Sequence, residues 1–135
     1  MPVSPDLPAS DAPPPGQGIA IAAESLYLIN LLLLPGPAFL ALLGLFFRYR
    51  RDAPPLARIH LQQTLSASLW AGVLLIVANL LIVVLGGYDS GWTWVVAILY
   101  FTTAHTTLVF FGIFGLARAM AGQPYRYPLV GNLWS

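Results

Sequence analysis

The chain contains no cysteine and no lysine, and only 8% of its 135 residues are charged. Without cysteine there are no disulfides, thiolate metal sites, cysteine-held iron–sulfur clusters or covalently attached c-type haem. Without lysine, all six basic residues are arginines. A soluble domain normally carries about 25% charged residues. The shortfall, together with 58% hydrophobic residues and a mean hydropathy of +0.76, marks an integral membrane protein. The length leaves room for one small domain of a few spans and for no separate soluble catalytic domain.

Residues 1–18 read MPVSPDLPASDAPPPGQG, with six prolines among the first fifteen. This composition buries too little apolar surface to offset its ordering entropy and predicts an extended tail. It lacks the basic start and short apolar core of a secretory signal. Three apolar blocks follow, at about 24–47, 59–85 and 92–116. Each matches the roughly 20 residues needed to cross a hydrocarbon core of about 30 Å. Pro35-Gly36-Pro37 interrupts the first block, because the prolines remove backbone donors and clash with the preceding turn. The expected fold is therefore all-α, with three transmembrane helices, the first sharply kinked; a re-entrant arrangement of its two halves is the alternative. The expected organisation is tail 1–18, three-helix membrane domain 19–123 and cytoplasmic tail 124–135. Asp52 is a candidate N-cap for the second span.

Arg48, Arg50, Arg51 and Arg58 lie in the first loop, and Arg118 and Arg126 follow the third block. With three spans all six share one side, which the positive-inside rule makes cytoplasmic. The expected localisation is the bacterial inner membrane, with the N-terminus outside and the C-terminus in the cytoplasm.

Polar and small residues are conspicuous inside the apolar blocks. In the third, His105 sits at the centre of YFTTAHTTLVFF. Treating spans two and three as an antiparallel hairpin turning near Asp89 puts His105 opposite Gly72 or Val73, at the membrane midplane. Helical spacing aligns His105, Gly112 and Gly115 on one face and Ser68, Gly72 and Asn79 on another, the small and polar pattern of close transmembrane packing. Asn30 and Thr102 fall near the same depth. An interhelical hydrogen-bond cluster of Asn30, Thr102 and His105 follows, with Gly72 leaving room for the imidazole. Other readings of His105 are pairing with a partner subunit, a proton relay or a haem axial ligand, since an intramembrane ionisable group is a functional suspect. His60 falls near the membrane surface, too far from His105 in depth to share a metal or haem with it, and reads as a solvated or headgroup-facing residue. No nucleophile–base pair, phosphate loop or carboxylate dyad is visible, and no cofactor or metal is expected.

Three stretches, LLPGPAFLALLGLFFRYRRDAPP, HLQQTL and LARAMAGQPYRYPL, resemble a bacterial family of small three-to-four-span membrane proteins of uncharacterised function. That family is distantly similar to the small pore-associated component of the chloroplast inner-envelope import machinery. The resemblance covers about residues 26–130, and its most specific part is the tail motif of Ala119, Gly122, Tyr125, Tyr127 and Pro128. It implies no enzyme activity and no catalytic residues. The expected function is that of a non-enzymatic accessory or assembly subunit of a larger membrane complex. Its partners would be the lipid bilayer and other membrane subunits, with no nucleic acid and no evident small-molecule substrate. The alternatives are a haem b or quinone-associated redox subunit using His105, and a component of a translocation or transport pore.

Overall fold

The computed structural model describes residues 12–130, which form four helices and no strands among the described residues. They are α1 (Gln17–Leu32), α2 (Pro37–Tyr49), α3 (Pro55–Val84) and α4 (Trp92–Met120). Two of them are long and apolar enough to cross a membrane, not three. At 1.5 Å per residue, α3 and α4 are each about 45 Å long. By the same measure α1, with 16 residues, reaches about 24 Å, and α2, with 13, about 20 Å. Neither covers a core of about 30 Å.

The expected kinked span is therefore two separate half-length helices. The reason lies at Gly36, whose φ of 98° belongs to a conformation that side chains other than hydrogen strongly disfavour. Flanked by Pro35 and by Pro37 at the start of α2, it reverses the chain instead of bending it.

Contacts along α1 give its direction. At its start, Gln17 donates from Nε2 to the carbonyls of Ala119 (3.2 Å) and Met120 (2.8 Å) at the end of α4. Further on, Tyr27 donates to the Leu108 carbonyl (2.9 Å). Helix α1 thus runs antiparallel to α4 and alongside the first half of α3. Gly112 and Gly115 permit the close approach: a Cβ on Gly112 would lie 2.5 Å from the Leu28 side chain, and one on Gly115 2.5 Å from Glu24 Oε2. Helix α2 returns towards the same end and buries Leu42 in a core shared with Tyr27, Leu61 and Tyr127.

The same contacts bring three parts of the chain together at one end. Pro14 packs at Gly122, and Gly16 at Pro54 and Ala57. The start of α1, the start of α3 and the end of α4 share one end of the bundle. Residues 1–11 of the expected Pro-rich tail, and residues 131–135, lie outside the described residues. Asp52, expected to cap α3, lies outside it; Pro54 holds the cap position, with Pro55 opening the helix.

Beyond the α1–α2 tip, α3 and α4 continue as a two-helix hairpin. Its side chains are exposed on nearly every face, including Ile76 (61%), Val84 (79%) and Trp94 (71%). The turn is fastened by Tyr88, whose hydroxyl donates to Asn79 Oδ1 (2.7 Å). Midway along α4, Tyr100–His105 form a π-helical turn. The threonines around it favour this widening, because their hydroxyls bond back to carbonyls of the preceding turn; Thr106 Oγ1 reaches the Phe101 carbonyl, five residues back, at 2.7 Å.

Candidate functional site

At the shared end, four polar side chains from three parts of the chain meet inside the protein. Glu24 comes from α1, His60 and Gln63 from α3, and Tyr127 from the segment after α4. Each is at most 1% exposed. His60 and Gln63 are three residues apart and share one helix face, with Ser66 a further three along. Glu24 is the hub. Its Oε1 lies 2.6 Å from His60 Nδ1 and accepts from Gln63 Nε2 at 2.5 Å, and its Oε2 accepts from the Tyr127 hydroxyl. His60 Nε2 lies 3.0 Å from the Gln123 carbonyl, and Gln63 Oε1 accepts from the Tyr127 backbone N–H at 3.1 Å. Ser66 Oγ continues the series by donating to the Val130 carbonyl at 2.5 Å.

The proton arrangement follows from donor and acceptor chemistry. A backbone carbonyl only accepts, so Nε2 of His60 carries a hydrogen. A hydrogen bond from Nδ1 to Glu24 then requires one proton between those two atoms, carried by either. In both arrangements the pair is net neutral, which is how two ionisable groups coexist without water. Burial, reinforced by the carboxylate of Glu24, pushes the Tyr127 phenol well above its usual range. The hydroxyl therefore stays protonated and donates. Tyr127 also packs against the rings of Tyr27, Phe111 and Tyr125, with centroids 5.3, 5.8 and 5.9 Å away. The result is a polar clasp that fastens residues 123–130 onto α1 and α3.

The clasp revises the reading of His60, which is neither solvated nor headgroup-facing: its exposure is 0%. The residues that sequence reasoning missed are Glu24, Gln63 and Tyr27. A usable signal was present, since Glu24 is the one acid in the first apolar block and His60, Gln63 and Ser66 recur at a spacing of three along α3.

The midplane residues fall out differently. Asn30, Ser68, Gly72 and His105 line one groove of about 610 Å3 between the α1–α2 tip, α3 and the π turn. The expected hydrogen-bond cluster is not formed among the described residues. Asn30 Oδ1 accepts from the Gly36 N–H at 3.1 Å. His105 contacts the rings of Phe101 and Tyr100, with centroids 5.2 and 6.4 Å away. Thr102 is exposed, and the buried Ser68 Oγ has no hydrogen-bond partner among the described residues. Gly72 is not a close-packing position, since a Cβ there would meet nothing within 4 Å. Gly112 and Gly115 pack against α1 rather than against α3, because the α1–α2 hairpin wedges in where a simple two-span register places direct contact. Asn79 serves the Tyr88 turn and donates to the Leu75 carbonyl at 2.8 Å.

The tail motif is drawn into the fold. Ala119 is fully buried, Gly122 has φ 69° and faces Pro14, and the rings of Tyr125 and Tyr127 meet at a tilt of 59°. The Pro128 carbonyl accepts from the Val130 N–H at 2.7 Å. Among the described residues no group of three or more His, Asp or Glu side chains is placed to hold a metal ion.

No curated protein and no solved structure matches the chain. One family model does, and it extends over α1–α4 and the clasped segment alike. With residues 18–134 matched, the chain belongs to the magnetosome magnetite crystal formation protein family, MamF/MmsF.

Proposed function

We propose that this protein is a non-enzymatic membrane subunit that supports magnetite crystal formation from within the magnetosome membrane, assembled with other membrane proteins. The observation that carries the reading is the family match across residues 18–134. The architecture supports it. Helices α3 and α4 extend past the rest of the bundle with apolar side chains exposed on nearly every face, a surface suited to lipid and to neighbouring helices. The acid and base of the clasp are sealed from solvent and engaged with protein groups, an arrangement that holds a fold together and offers no access to a substrate. All six arginines belong to the shared end or the segments leaving it, so that end is cytoplasmic and the Asp89 turn faces the opposite compartment.

The test is deletion of the gene in a magnetite-forming host, followed by electron microscopy of the crystals. Altered crystal size or number, restored by the wild-type chain and not by one lacking the α3–α4 hairpin, is the expected result. Crystals unchanged by the deletion would refute the proposal.

A further inference from the structure

At the shared end, between the end of α2 and the start of α3, lies a second pocket of about 320 Å3. It is lined by Arg50 and Arg51 after α2, Arg58, Leu61 and Gln62 on α3, and Phe46 on α2. Three arginines therefore border one small space. Two of them already have limited local contacts. Arg58 Nη2 donates to the Ala53 carbonyl at 3.3 Å, and Arg50 lies over the Phe47 ring, 5.1 Å from its centroid. Neither contact neutralises charge. Among the described residues the one ion pair is His60 with Glu24, so none of the three arginines has a carboxylate within 4 Å. Asp52, the nearest acid in sequence, is exposed and makes no such pair.

Three like charges around one pocket repel each other, and a bound anion relieves that repulsion. Guanidinium groups suit phosphate in particular, because their planar donors engage two oxygens at once. The position specifies the source. The pocket lies between the end of α2 and the start of the membrane-length helix α3, where such a helix would meet the headgroup layer. Two of its lining residues, Phe46 and Leu61, are apolar, and α2 also carries exposed apolar side chains such as Phe47 and Leu40.

We propose that this pocket binds the phosphate of an anionic phospholipid, with Arg50, Arg51 and Arg58 on the headgroup and the acyl chains lying along α2. Basic pockets between membrane helices on the cytoplasmic side hold acidic headgroups in this way.

The experiment uses the full-length protein, delipidated in neutral detergent, and native mass spectrometry with added phosphatidylglycerol, phosphatidylcholine or inorganic phosphate. The expected result is one saturable phosphatidylglycerol site, at least tenfold preferred over phosphatidylcholine, with no comparable retention of inorganic phosphate. The preference should disappear in the Arg50→Gln/Arg51→Gln/Arg58→Gln variant and persist in Arg118→Gln, whose guanidinium serves Gln123 instead. The three arginines are exposed, so the triple variant should retain wild-type helicity and thermal midpoint, both measured alongside. Equal retention of the two lipids, a preference surviving in the triple variant, or inorganic phosphate binding as well as the lipid would each overturn the proposal.

Discussion

Gly115 lies against Glu24 so closely that a Cβ on the glycine would stand 2.5 Å from the carboxylate oxygen Oε2. That oxygen is the acceptor for the Tyr127 hydroxyl. The missing side chain on α4 is thus what allows an acid on α1 to reach a phenol beyond the end of α4.

Substitution at this position should be costly. Gly115→Ala forces the carboxylate out of its hydrogen bonds or separates the two helices, and should destabilise the protein by about 1–3 kcal/mol. Gly72→Ala enters open space and replaces a poor helix former, so it should be neutral or stabilising by up to about 1 kcal/mol. Thermal unfolding of both variants in the same detergent checks this. Equal losses at the two sites would show that the helix contacts are misassigned.

The Glu24–His60 pair should behave as a unit. Removing one partner of a buried pair costs about 3–5 kcal/mol, because the other is left unsatisfied. Glu24→Leu and His60→Leu should therefore each be severe, and the double variant should cost well below their sum. Additive losses in this double-mutant cycle would mean that the two side chains are not coupled.

Tyr127 gives a pH signature. Its phenol is pushed well above the ordinary value of 10.0, so the folded state favours the protonated form. The associated stability is fully present below about pH 10 and is lost as pH rises from there towards the folded value. Wild type should lose thermal stability between about pH 10 and 11 more steeply than Tyr127→Phe. At pH 7 the variant should be less stable by about 1–3 kcal/mol, the cost of leaving a buried acceptor without its donor. It should also be cut faster by trypsin after Arg126. Identical pH profiles would remove Tyr127 from the clasp.

The shared end can be tested directly, since the absence of cysteine makes engineered thiols unambiguous. Pro13→Cys and Gln123→Cys should react with a membrane-impermeant maleimide from the same side, and Asp89→Cys from the other. Labelling of Pro13→Cys together with Asp89→Cys would restore a three-span topology.

The sequence by itself determined the solvent and the material of this fold. An apolar chain with 8% charged residues belongs in a bilayer, and inside a bilayer unpaired backbone groups force helices. It also located the breaks between helices, because proline and glycine act locally through backbone geometry. Tertiary structure alone decided whether Pro35-Gly36-Pro37 bends a span or reverses it, since both outcomes satisfy the same local rules. The choice rests on α1 finding Gly112 and Gly115 on α4 and the face of His60 and Gln63 on α3. Local spacing likewise placed His60, Gln63 and Ser66 on one face, yet could not supply the partners waiting 36 residues before it in Glu24 and 64 residues after Gln63 at Tyr127. The same limit applied at the midplane. Periodicity put Gly72 and His105 at one depth, but whether a glycine makes a contact or leaves a groove depends on what a third helix does beside it, and no spacing along α3 and α4 carries that information.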